Sequence, residues 1–111
     1  MLLLIVNCQL SNIMQQAHVF ISGSVQGVGY RYFVRSNAQK LGLTGWVRNS
    51  EDGGVEVVLQ SSASSDQEAK EKFEEMIALC RQGPMLSEIK EIGFECEEVE
   101  EEFSEFSIRV D

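Results

Sequence analysis

Between residues 17 and 41 the apolar residues change their period. Ala17, Val19, Ile21 and Val25 alternate with polar or small neighbours, and Gly23 continues the same face. Tyr30, Phe33, Val34, Ala38 and Leu41 then recur at helical spacing. A shift from period two to period about 3.6 marks a strand that passes into an amphipathic helix. Phe20 falls on the opposite face of the strand. Arg35, Ser36, Gln39 and Lys40 fall on the wet side of the helix, and Gly42 supplies a stop. The connection between the two elements holds Gly27 and Gly29, and whatever this chain folds into must accommodate that junction.

The remaining pattern completes an architecture. Strands are expected over residues 44–49 and 55–60, joined by a hairpin turn at Glu51-Asp52-Gly53-Gly54. Ser65 and Glu68 have the spacing of a capping box, followed by the apolar stripe Ala69, Phe73, Met76, Ile77 and Cys80. Gly83-Pro84 ends that second helix. A strand over 89–96, an acidic stretch and a last strand over 106–110 close the chain. The order β-α-β-β-α-β predicts an α+β fold of the ferredoxin-like sandwich type. Two helices then pack on one face of an antiparallel sheet and leave the other face more exposed. The order by itself says nothing about chemistry.

At 111 residues the chain suits one domain, which buries about two-thirds of its unfolded surface without metal or disulfide support. Residues 1–14 read as an N-terminal extension to a domain spanning 15–111, with Met14 a candidate start. The apolar run Leu2–Val6 lacks a basic flank and the apolar length of about 7–15 residues that a secretory signal needs. It is also far short of the roughly 20 apolar residues that span a bilayer. Cys8, Cys80 and Cys96 are odd in number and form no CxxC pair, and His18 is the only histidine. A zinc site is therefore not expected, and the thiols are expected to be free in a reducing cytoplasm.

The net charge of −9 is unevenly placed. The first fifty residues hold Arg31, Arg35, Lys40 and Arg48 and no acid, and all 18 acids follow with the other five bases. Nucleic acid binding needs a broad basic surface, which this balance opposes. A small anion needs only local positive charge. The run containing Glu95, Glu97, Glu98, Glu100, Glu101, Glu102 and Glu105 lacks the glycine turn and ligand spacing of a calcium loop. It reads as a solvated, mobile acidic loop.

The stretch Val25-Gln26-Gly27-Val28-Gly29-Tyr30-Arg31 carries the candidate chemistry. Backbone N–H groups at a strand-to-helix junction can converge on an anion, and the helix N-terminus adds about half a positive charge. Arg31 supplies a planar guanidinium suited to two phosphate oxygens. On glycine content alone, a tight structural connection is the simpler account. No Lys-Ser/Thr pair ends the stretch as in a Walker loop, and Tyr32 stands where a GxGxxG motif has its third glycine. A second segment, Gly45-Trp46-Val47-Arg48-Asn49-Ser50-Glu51-Asp52-Gly53, ends a strand in Asn49. That side chain offers two donors and one acceptor and shares a face with Val47. In isolation, turn chemistry is the better account of an asparagine there.

Together these two segments resemble the paired signatures of the acylphosphatase family. They are Gly-x-Val-Gln-Gly-Val-x-Tyr-Arg from Gly23 to Arg31 and Gly-Trp-Val-x-Asn-x-x-Asp-Gly from Gly45 to Gly53, with Asn49 placed 18 residues after Arg31. Gly83-Pro84 and Phe106-Ser107-Ile108 are weaker echoes, and the similarity covers about residues 17–111. The resemblance implies a ferredoxin-like enzyme that hydrolyses the carboxyl–phosphate bond of acyl phosphates. Arg31 and the backbone of Val25, Gln26, Gly27, Val28, Gly29 and Tyr30 would hold the phosphoryl group, and Asn49 would position the attacking water. Ser24, where many members carry a base, and Ser87, where alanine is common, depart from the pattern outside the presumed chemistry.

Such a reaction makes few demands. Phosphoryl transfer passes through a loose transition state that rewards positioning and charge stabilisation. A carboxylate leaving group, whose acid has a pKa of about 4, departs without a general acid. The expectation is a metal-independent hydrolase with no cofactor, acting as a cytoplasmic monomer on small-molecule acyl phosphates. No nucleic acid or membrane partner is expected, and His18 reads as structural or exposed. The run Gly29-Tyr30-Arg31-Tyr32-Phe33-Val34 faintly echoes an RNA-recognition motif, but those aromatics line a sheet whereas these begin a helix. Further alternatives are a non-catalytic module on the same fold that binds a phosphorylated metabolite or a protein, and a domain of a larger carbamoyl-transfer machine, for which nothing in the sequence speaks.

Overall fold

The alternating apolar residues of the first strand find their partners on two neighbours at once. In the computed structural model, which describes residues 15–62 and 65–110, β1 (Gln15–Ser24) lies between β3 (Val55–Ser61) and β4 (Glu88–Glu97), antiparallel to both. β2 (Thr44–Asn49) pairs with the other edge of β3, antiparallel, with Asn49 opposite Val55. β5 (Phe106–Ile108) adds beyond β2 and runs parallel to it, giving the order β4-β1-β3-β2-β5. The four principal strands thus have the expected antiparallel arrangement, and the short fifth makes the sheet mixed. Ladder bonding continues one residue past β5, where Arg109 N–H donates to Val47 O at 2.8 Å.

Both helices cover one face. α1 (Tyr30–Lys40) buries Tyr30, Val34 and Ala38. α2 (Asp66–Gln82) buries Ala69, Phe73, Met76, Ile77 and Cys80. All of these except Ala69 meet Ala17, Val19, Ile21, Val47, Val57 and Leu59 of the sheet in one core. Fully burying a side chain such as Phe73 or Met76 stabilises the fold by about 1.5–3 kcal/mol. The N-cap is as expected, since Ser65 Oγ accepts from Glu68 N–H at 3.1 Å. Among the described residues no helix is long and apolar enough to cross a membrane. The proposed extension over residues 1–14 lies outside the described residues.

Cys80 is a free buried thiol, and Cys8 lies outside the described residues. One expectation needs refinement. The acidic stretch after β4 keeps most of its acids exposed, as expected, but its backbone is fastened. It joins the two edge strands of the sheet by crossing the face that the helices leave open. Its backbone is held by Gln60, a side chain with 0% exposure. The Gln60 amide donates to Glu101 O at 2.7 Å and to Gln16 Oε1 at 2.7 Å, and Gln60 Oε1 accepts from Phe103 N–H at 2.9 Å. A buried amide has to be satisfied, and here this satisfaction fastens the strap.

Candidate active site

The loop between β1 and α1 begins with a buried anchor and ends with another. Val25 is 1% exposed in the core, as is Tyr30, and Val28 packs half-buried against the same core. Between these anchors Gly27 and Gly29 both adopt positive φ, at 78° and 79°. A Cβ at either would meet no atom of the described residues within 4 Å. Conformation rather than crowding is therefore what glycine provides at these two positions. Alternating left- and right-handed residues turn successive N–H groups toward one side, the geometry of an anion-binding nest.

Gly29 is also the N-cap of α1. It offers no side-chain cap, and no acid stands in the first turn. The first N–H groups of a helix have no partner within it, so this end has positive character for an anion to satisfy. Arg31 lies in the same first turn, half-buried, and its Nη1 donates to Arg109 O at 3.4 Å.

Asn49 is the last residue of β2, on the helix-covered face with Val47. Its Oδ1 is buried and has no hydrogen-bond partner among the described residues. A buried acceptor left in that state costs about 1–3 kcal/mol, so it is a position where a donor would be welcome. The following hairpin is tightly built. Asp52 Oδ1 accepts from Ser50 Oγ at 2.8 Å and from Gly54 N–H at 3.0 Å. The Gly54 amide and then the Ser50 hydroxyl hold the exposed Asp52 carboxyl below its ordinary range.

Gln26 brings the two segments together. Its side-chain amide donates to Ser50 O at 3.0 Å and to Gly54 O at 2.8 Å. The loop of Val25–Arg31 is thereby tied to the residue next to Asn49. Sequence reasoning placed Gln26 only among the cradle residues and missed this tether, whose partners lie 24 and 28 positions away. Tyr30 likewise has a second role, because its buried hydroxyl donates to Cys80 O at 2.7 Å. Burial, and then the neighbouring Cys80, push the Tyr30 phenol well above its usual range. Burial also pushes the Cys80 thiol up to about 12.

His18 stands apart from this site, on the open face of the sheet. Its Nδ1 is 2.7 Å from Glu97 Oε2 and its Nε2 is 2.5 Å from Glu56 Oε2, with Phe20 stacked at 4.5 Å. That is a structural cross-link over three strands. A cavity of about 620 Å³ lies beside it, lined among others by Trp46, Val58, Phe103 and Arg109.

Comparison with known proteins bears on this geometry. The family model described as acylphosphatase matches residues 17–108. An acylphosphatase of Trichormus variabilis is 44% identical over 85 residues, which are 77% of each chain. Another, from Methylococcus capsulatus, is 40% identical over 95 residues, 86% of this chain and 96% of the relative. The solved structure of an acylphosphatase from Coxiella burnetii aligns with a TM-score of 0.74 at 32% identity, covering 86% of this chain and 93% of that one.

Proposed function

The chain belongs to the acylphosphatase family, and from this we propose a mechanism for its hydrolysis of acyl phosphates. The phosphoryl group of a small acyl phosphate is held by the backbone N–H groups of residues 25–30 and by the guanidinium of Arg31. The side chain of Asn49 orients a water for direct attack on phosphorus. Carboxylate and inorganic phosphate are the products.

One observation carries this reading. Asn49 Oδ1 is a buried acceptor at the end of β2 with no partner among the described residues, and Gln26 ties the adjoining hairpin to the glycine loop. An acceptor of this kind can hold a water by its proton and so fix the direction of its lone pair. Nothing else in the proposed step requires a protein acid or base. The carboxylate departs as an anion at neutral pH, and a substrate phosphate oxygen can take the proton released by the water. The amides, the helix end and Arg31 meet the charge on the equatorial oxygens, where preorganised donors are most effective.

Benzoyl phosphate hydrolysis by the purified protein, measured with and without EDTA, tests the proposal. The expected result is turnover that EDTA does not reduce, with a loss of about 10²–10³-fold in Arg31→Ala. Wild-type rates no better than buffer would overturn the enzyme reading. A folded Arg31→Ala with full activity and full affinity for inorganic phosphate would overturn the cradle assignment.

A further inference from the structure

The guanidinium of Arg31 has a protein contact that leads across the sheet. Arg109 is the first residue after β5, and its carbonyl accepts from Arg31 Nη1 at 3.4 Å. Its own N–H is fixed to Val47 O at 2.8 Å. The side chain of Arg109 goes to the open face, where its Cζ lies 4.5 Å from the ring centroid of Trp46 and 5.8 Å from that of Phe103. Trp46 is 8% exposed and also carries the Arg48 guanidinium at 5.3 Å. Arg48 is in turn ion-paired to Glu56 at 2.8 Å. Phe103 belongs to the acidic strap and is held there through its backbone by the buried amide of Gln60.

We infer that Arg109 is a positioning residue for Arg31, its side chain clamped between Trp46 and Phe103 so that its backbone carbonyl orients the phosphate-gripping guanidinium. The inference rests on the proposed role of Arg31. A guanidinium on a flexible stem loses rotamer freedom when it grips a phosphate, and a fixed acceptor on its outer edge reduces that loss. The carbonyl can play this part only if the backbone just after β5 is held still. A three-residue edge strand supplies little restraint, and the two cation–aromatic contacts supply more. A side chain on the face opposite the cradle thus serves the cradle through its backbone.

The test compares Arg109→Ala, Arg109→Lys and Phe103→Ala, each alone and combined with Arg31→Ala. The readouts are kcat and KM for benzoyl phosphate and the inhibition constant of inorganic phosphate. Arg109→Ala is expected to raise KM and the phosphate inhibition constant about tenfold while kcat stays within about threefold, the signature of lost grip. Arg109→Lys keeps a cation on Trp46 and should return both to within about threefold of wild type. Phe103→Ala lies outside the strand ladder and should give an intermediate rise. None of these changes should have a further effect once Arg31 is alanine. Unchanged KM and phosphate inhibition in both Arg109→Ala and Phe103→Ala would overturn the inference. So would a fall in kcat alone with a lowered Tm, or an equal loss on the Arg31→Ala background. If Arg31→Ala weakens phosphate binding and Arg109→Ala does not, only this inference falls. If Arg31→Ala itself leaves phosphate binding unchanged, the cradle assignment falls with it.

Discussion

The hydroxyl of Tyr30 donates to the carbonyl of Cys80 at 2.7 Å, where the residue four positions on is Pro84. Proline has no N–H, so the last turn of α2 leaves this carbonyl without its usual backbone donor. Tyr30 takes the place of that donor. The first residue of α1, which follows the glycine loop, is thereby bolted to the end of α2.

Replacing Tyr30 by Phe keeps the ring and removes only this bond. The loss of a buried hydrogen bond that strands its acceptor costs about 1–3 kcal/mol. In a chain of this size Tm should fall by about 5–10 °C. Thermal unfolding followed by circular dichroism measures it, and an unchanged Tm would show that another donor reaches Cys80 O.

Asn49→Ala should separate activity from stability. Removing an unpartnered buried acceptor takes away no bond that the fold relies on, so Tm is expected to hold steady or rise slightly. Turnover should fall by about 10²–10³-fold, as for other transition-state hydrogen-bonding groups. Measuring both on one preparation decides the matter, since a parallel loss of Tm would make the asparagine a structural residue.

The tether at Gln26 makes a graded prediction. Gln26→Ala frees the loop from Ser50 O and Gly54 O and should weaken inhibition by inorganic phosphate about three- to tenfold at a cost of about 1 kcal/mol in stability. Gln26→Glu should be worse in both respects. A carboxylate cannot donate to two carbonyls, and it adds negative charge beside the anion site. Equal effects of the two substitutions would remove the tether from the account.

Acid should release the cross-link on the open face. Burial pushes the Glu56 carboxyl up, but the hydrogen bonds from His18 and Arg48 outweigh it and leave the group below its ordinary range. A carboxylate with a lowered folded-state pKa contributes stability above its unfolded pKa of about 4.3 and loses that contribution as pH falls through the folded value. Glu56→Gln should therefore be less stable than wild type by about 1 kcal/mol at pH 7. The gap should close below about pH 4. Urea unfolding of both proteins at pH 7 and pH 3 tests the sign, and a gap that widens in acid would refute it.

Much of the fold was legible because its signals are local. The period change between Ile21 and Phe33, the Ser65 cap, and the stops at Gly42 and Gly83-Pro84 each rest on residues within a few positions of one another. The glycine loop and Asn49 were legible as candidates for the same reason, since their spacing is a property of the chain. The fastening of the strap was missed for the opposite reason. Seven glutamates between positions 95 and 105 describe a wet segment, and only a buried Gln60 on β3 turns it into a fastened one.

The sequence by itself determined where strand becomes helix, which faces are apolar, and that Arg31 and Asn49 belong to one pair of motifs. Period, propensity and capping act over a few residues, so they can be read in order along the chain. The tertiary structure alone decided what holds those residues in place. Gln26 reaches Ser50 over 24 positions, Tyr30 reaches Cys80 over 50, and Arg31 reaches Arg109 over 78. Contacts of that range depend on strand order and on the parallel addition of β5 beside β2. A hydrogen bond of this kind leaves no periodic trace in sequence, because it exists only after the sheet has brought its two ends together.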